Sequence, residues 1–157
     1  MAYRGRYILT NPKKYVGDPD KITYRSSWER LFMIWADHND SVVRFNSEGV
    51  VIGYVSEYDH KPHRYYVDFW VQVLLHNGQY KEFLVEVKPE NQTKPPKKNP
   101  KNPNQYANAM KTWMTNCSKW KAAKAFCEAH NMEFLLVTEK TLKIGRYKPK
   151  RVKTQHV

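Results

Sequence analysis

Between Ser26 and His38 the apolar residues Trp28, Leu31, Phe32 and Trp35 fall at i, i+3, i+4 and i+7, the stripe of an amphipathic helix. Ser26 with Glu29 three positions on has the form of a capping box, and Asn39-Asp40 supply the stop. The spacing predicts a helix over 26–38. The period then changes from 3.6 to 2. Residues 42–45 and 50–55 are short β-branched runs around Asn46-Ser47-Glu48-Gly49, and they predict one bent strand or a small hairpin. Over 64–75 the chain alternates as one long strand. Val67, Phe69, Val71, Val73 and Leu75 take one face, and Tyr66, Asp68, Trp70, Gln72 and Leu74 the other. Asn77-Gly78 marks a hairpin. The return strand, 80–88, sets Phe83, Val85 and Val87 against Leu84, Glu86 and Lys88.

Pro89 ends that strand. From 88 to 103 the chain holds five Pro, five Lys and one Glu, which reads as an extended basic loop over 89–103. Asn104 opens a helical region with Tyr106, Ala109, Met110 and Trp113. Ser118 reads as the cap of a further helix striped by Trp120, Ala123, Phe126 and Cys127, with Asn131 closing it. The apolar run in 133–138 is that of a buried strand, and the helical crossover before it makes it parallel to the sheet. Residues 1–25 read as a basic, turn-rich arm and 143–157 as a basic tail, leaving one domain over 1–142. The expected fold class is α/β, with a mixed central sheet flanked by helices.

Composition narrows the function. A chain of 157 residues with 41% hydrophobic and 27% charged positions is one globular domain. Its 27 Lys and Arg against 15 Asp and Glu leave a net charge of +12, which points to an acidic partner, most often nucleic acid. No run approaches the ~18 apolar residues of a membrane helix. Nothing in the opening Met1-Ala2-Tyr3-Arg4-Gly5-Arg6 marks secretion. Two cysteines, Cys117 and Cys127, are too few for a disulfide framework.

The chemistry gathers on the two long strands. Asp68 lies on one, and Glu86 and Lys88 share a face of the next. Two carboxylates are hard oxygen ligands for Mg²⁺, and a neighbouring ammonium can hold water or meet developing phosphate charge. The register decides whether they meet. A two-residue Asn77-Gly78 turn would pair Asp68 with Val87 and turn it away from Glu86. A three-residue loop, His76-Asn77-Gly78 with Gly78 left-handed, or a single β-bulge, brings Asp68 opposite Glu86. Glu29 adds a third carboxylate from the helix, although the capping box alone also accounts for it. Glu48 is a rival third acid whose place beside Gly49 also suits a solvated turn.

Tyr66-Val67-Asp68 followed by Glu86-Val87-Lys88 after a hairpin resembles the PD-(D/E)xK nuclease core, a restriction-endonuclease-like αβββαβ unit. Val67 stands where that superfamily has proline. The stretches Tyr24-Arg25-Ser26-Ser27-Trp28-Glu29, Arg64-Tyr65-Tyr66-Val67-Asp68, Val85-Glu86-Val87-Lys88-Pro89 and Trp120-Lys121-Ala122-Ala123, with the opening Gly17-Asp18-Pro19, resemble the head completion proteins of T-even-like tailed phages. Those are similar in turn to TnsA, the endonuclease subunit of a heteromeric transposase. The likeness covers about residues 3–142. It implies a DNA nuclease acting in head completion after genome packaging, in the host cytoplasm during assembly or in the virion head. Its metal would be Mg²⁺, with Mn²⁺ as a substitute. Asp68, Glu86 and Glu29 would hold the metal, with Lys88 completing the catalytic set. The implied partners are DNA and the phage portal or neck proteins, with no membrane.

Lys94, Lys97, Lys98 and Lys101 leave the sheet beside that site and are candidate phosphate contacts, while Tyr66 and Trp70 are candidate base contacts. Two other readings share these residues: a non-catalytic assembly protein of the same fold, and a basic DNA-binding adaptor whose carboxylates are structural.

Overall fold

A computed structural model describes residues 2–142; the basic tail, 143–157, lies outside the described residues. Four strands form the main sheet in the order β3 (Val42–Ser47), β6 (Phe69–Leu74), β7 (Tyr80–Val87), β8 (Glu133–Val137). The first three are antiparallel, and β8 joins β7 in parallel as the crossover required. Helix α1 (Ser27–His38) covers one face of this sheet and α2 (Pro103–Ala129) the other. Two small ribbons complete the fold, β1 (Ala2–Arg6) with β2 (Thr23–Ser26) and β4 (Val51–Val55) with β5 (Pro62–Tyr66); the four-residue α3 (Glu139–Leu142) follows β8.

Helix α1 starts where its cap predicts: the Ser26 hydroxyl accepts from the Glu29 N–H. Its deepest residues are Phe32, Met33 and Ala36, with Trp28 and Trp35 half-buried at the margins. They pack on Phe45, Phe69, Val71, Val85 and Val87. On the opposite face Ala123 and Cys127 of α2 meet Leu84, Val67, Tyr65 and Ile52.

The expected single strand over 64–75 is two strands in different sheets, broken at Val67-Asp68. The break also reverses which face the side chains take. Tyr65 and Val67 point toward α2, whereas Phe69 and Val71 point toward α1. An aspartate fits a regular ladder poorly, and the kink frees Asp68 from one. Residues 42–45 and 50–55 form neither a bent strand nor a hairpin. They run as β3 and β4, which pair with β6 and β5 respectively. The turn between them passes through Glu48 at φ +55°. Gly49 follows, where any side chain would collide with the Asn46 amide.

The β6–β7 connection is the three-residue loop. Leu75 N–H donates to the Gln79 carbonyl at 2.8 Å, and Gly78 N–H donates to the Leu75 carbonyl at 2.9 Å. Gly78 sits at φ +85°, a conformation that needs glycine.

Helix α2 is one continuous element of 27 residues rather than two. Its cap is Asn102, whose side chain accepts from Gln105 N–H, with Pro103 in the first turn. Ser118 caps nothing. Its hydroxyl donates to the Met114 carbonyl within the helix and accepts from Glu57 N–H, clamping the 56–61 loop. Asn131 is left-handed at φ +57° and ends α2 by letting Met132 N–H return to the Cys127 carbonyl.

Among the described residues strand β8 is an edge rather than a buried strand: it pairs only with β7, and Leu135 is exposed. The segment read as a turn-rich arm also packs. Tyr7, Ile22 and Tyr24 are buried in the α1-side core.

Candidate active site

The loop geometry sets the site. With Phe69 paired to Val85, the register places Asp68 opposite Glu86. Leaving the ladder lets the Asp68 carboxylate bond to backbone: its Oδ2 accepts from Val87 N–H at 2.8 Å. Its own carbonyl accepts from Glu48 N–H at 3.0 Å, so the turn after β3 is tied to the break before β6. Among the described residues Asp68 Oδ1 accepts no hydrogen bond.

Glu86 is only 4% exposed, on the sheet face toward α2. Its Oε1 accepts from the Tyr65 hydroxyl at 2.7 Å, and its Oε2 lies 3.6 Å from Lys88 Nζ. The Lys88 main chain is anchored in turn, its N–H donating to the Val137 carbonyl of the parallel strand. That contact needs a parallel β8, which is why the crossover matters to the site.

Glu29 combines its two readings. Its N–H takes the Ser26 cap, while its Oε1 accepts from Arg25 N–H at 3.3 Å. Arg25 also reaches Glu48, 2.6 Å away, and holds that carboxylate beside the cluster.

Electrostatics show how crowded the group is. Asp68 is raised well above the usual carboxylate range by burial first, then by the charges of Glu86 and Glu29, against the Val87 N–H and Lys88. Glu29 is raised by burial, opposed by Arg25, with Glu48 and Glu86 adding to the rise. Burial and the Glu86 carboxylate together push the Tyr65 hydroxyl far above the ordinary phenol value, so it stays a donor. Four carboxylates thus feel one another, and a cation is the simplest way to relieve them.

The donor set suits a small hard cation. Among the described residues no three or more His, Cys, Asp or Glu side chains are gathered as a ready-made metal cage. Mg²⁺ does not ask for one: it binds through one or two carboxylates and keeps waters and substrate phosphate for the rest. Asp68, with an uncommitted oxygen, and Glu86, with one oxygen fixed by Tyr65, supply such a pair.

The remaining candidates are placed as follows. Tyr66 is exposed on the outer side of β5. Trp70 is half-buried in the α2-side core, with its indole N–H donating to Glu82. Lys94, Lys97, Lys98 and Lys101 are all exposed, and among the described residues only Lys94 of the four has an ion pair, with Glu90 at 3.6 Å. The start of their loop is pinned where Glu139 accepts from the Glu90 N–H.

Three contributors were not assigned these places from sequence. Glu48 was legible only through its unusual turn beside Gly49. Arg25 had no signal beyond its place before the cap. Tyr65 carries no sequence signal for its place, and its hydroxyl is committed to Glu86.

Comparison with known proteins agrees with this geometry. A family model described as TnsA-like endonuclease N terminal matches residues 39–139, a span holding Asp68, Glu86 and Lys88 but not Glu29. The chain is 37% identical over 152 residues to the head completion nuclease of Enterobacteria phage T4, covering 94% of this chain and 99% of that protein. No solved structure matches.

Proposed function

The chain belongs to the TnsA-like endonuclease family, and we propose that it is a divalent-metal-dependent DNA nuclease acting in phage head completion, with Mg²⁺ as its metal. The observation that carries this reading is Asp68 opposite Glu86, with Lys88 two residues on and 3.6 Å from the Glu86 carboxylate.

Asp68 and Glu86 would hold the ion, which supplies an activated water and neutralises charge on the phosphate. The protein's own groups do the rest. Tyr65 donates to Glu86 Oε1 and orients the other oxygen. Lys88, 3.6 Å from the buried Glu86 carboxylate, offers N–H donors where charge grows on the phosphate. Val87 N–H fixes the Asp68 rotamer. Glu29, latched to Arg25, completes the acidic wall on the α1 side.

Head completion gives such an enzyme a place at the packaged genome's end, in the assembling host cell or the virion head, with DNA as substrate and portal or neck proteins as neighbours. The test is incubation of the purified chain with linear and branched DNA in Mg²⁺, Mn²⁺ or EDTA. Cleavage in Mg²⁺ that EDTA stops is the expected result; DNA left intact under all three conditions counts against it.

The loop lysines give a separate expectation. Binding should weaken steeply with salt, by a log–log slope of roughly −0.9 per phosphate neutralised. Replacing Lys94, Lys97, Lys98 and Lys101 with Gln should flatten that slope by roughly 2–4 and slow cleavage, because the loop presents the strand to the acids. Equal slopes for parent and variant would show that the loop faces something other than DNA.

A further inference from the structure

A groove of about 220 Å³ lies between the loop after β7 and the first half of α2. Its walls are Asn91, Gln92 and Lys94 on one side and Thr112, Trp113 and Asn116 on the other. Asn116 is 5% exposed, yet its carboxamide hydrogen-bonds to no described residue. Its amide atoms still reach the groove, so water or a ligand there supplies their partners. The side chains of Asn91 and Gln92 make no hydrogen bond among the described residues either. Trp113 is braced edge-to-face by Trp120, ring centroids 6.0 Å apart.

The loop that walls the groove begins beside the acids, at Lys88. Asn91 is three residues beyond Lys88, so their Cα atoms lie within roughly 10 Å. Along α2, Lys119 is one turn past Asn116 on the same side. Its ammonium lies 5.5 Å from the Tyr65 ring centroid, and Tyr65 donates to Glu86.

We infer that this groove binds one unstacked nucleobase of a single-stranded DNA segment and thereby feeds an unpaired strand, rather than intact duplex, to Asp68 and Glu86; the inference rests on the nuclease reading. The chemistry of the lining selects that ligand. Carboxamides donate to and accept from base edges, an indole offers a stacking face, and Lys94 and Lys119 meet the phosphates on either side. No carboxylate lines the groove to repel them. At about 220 Å³ the groove has room for a single base.

The experiment measures binding of the full chain in EDTA, where no cleavage intervenes. The probes are a labelled oligothymidylate, the same strand with abasic sites, and a blunt duplex. Trp113→Leu and the exposed-loop double variant Asn91→Ala/Gln92→Ala should each bind oligothymidylate about fivefold or more weakly. Both should bind the abasic strand and the duplex as the parent does, and the loop double variant should keep the parental melting temperature. The loop double variant alters only exposed side chains, so it decides the matter even if Trp113→Leu unfolds. Parental affinity of the double variant for oligothymidylate overturns the inference, as does an equal loss on all three probes. Failure of the parent to cleave any DNA in Mg²⁺ would instead sink the nuclease reading and leave the metal-free binding result standing.

Discussion

Asp68→Asn should abolish cleavage and at the same time raise the melting temperature of the metal-free protein. The loss follows from its position: its Oδ1 is the uncommitted carboxylate oxygen of the pair, and its other oxygen is held by Val87 N–H. An amide keeps the shape but removes a metal-binding charge. The rate should fall by roughly 10³-fold or more, at or beyond the upper end of what losing one charge-stabilising group costs. The stability gain follows from crowding. Asp68 is raised by burial and by the Glu86 and Glu29 charges. A carboxyl whose folded value lies above its unfolded one binds its proton more tightly in the folded chain. Its stabilising share is full below the ordinary carboxylate range and is lost as pH rises through the raised folded value. At neutral pH the ionised group therefore works against folding. Melting followed across pH in EDTA should show the parent losing more stability than Asp68→Asn between mildly acidic and neutral pH. Mg²⁺ should stabilise the parent and not the variant. A variant that cuts at the parental rate removes Asp68 from the site, and one that melts lower at neutral pH removes the repulsion argument.

The meeting of Asp68 with Glu86 was readable from sequence because the parts that set it are local. The α1 cap is a four-residue pattern. Gly78 is the residue that a left-handed loop position demands, and the demand that Asp68 face Glu86 selected the three-residue loop over the two-residue one. What escaped depends on the third dimension. The main sheet is covered on both sides, so alternation along 64–75 joins apolar residues whichever helix they meet. It continues undisturbed across a break that sends Val67 to α2 and Phe69 to α1. Ser118 looked like a cap because serine favours caps, but a mid-helix hydroxyl can return to the carbonyl four residues back, and this one also secures Glu57. Glu48 needed its φ of +55° to turn back toward Arg25.

Asp37 is the residue that sequence concealed most completely, and Asp37→Ala should be the most destabilising single change in the N-terminal half. It is fully buried near the end of α1. Its Oδ2 accepts from the Tyr7 hydroxyl and Thr10 N–H, each at 2.8 Å, and its Oδ1 accepts from Asn11 N–H at 2.9 Å. Its own carbonyl takes the Asn11 amide and Lys14 Nζ. The partners come from 23–30 residues away, so no local spacing announces them. Alanine would orphan two backbone N–H groups and a buried hydroxyl. At ~1–3 kcal/mol for each unsatisfied group, with some relief from water, the loss is about 3–5 kcal/mol. For a domain of this size that lowers the melting temperature by about 10 °C. Tyr7→Phe removes one donor and leaves the carboxylate two others, so it should cost only about 1 kcal/mol. The difference between the two variants measures how far the carboxylate, rather than the tyrosine, holds the segment leading to Arg25 and Glu29. Cleavage per folded molecule should survive in both variants well below their melting temperatures, because Asp37 touches none of the acids. An Asp37→Ala protein melting within about 2 °C of the parent would mean that apolar burial of Tyr7, Ile22 and Tyr24 alone anchors that segment.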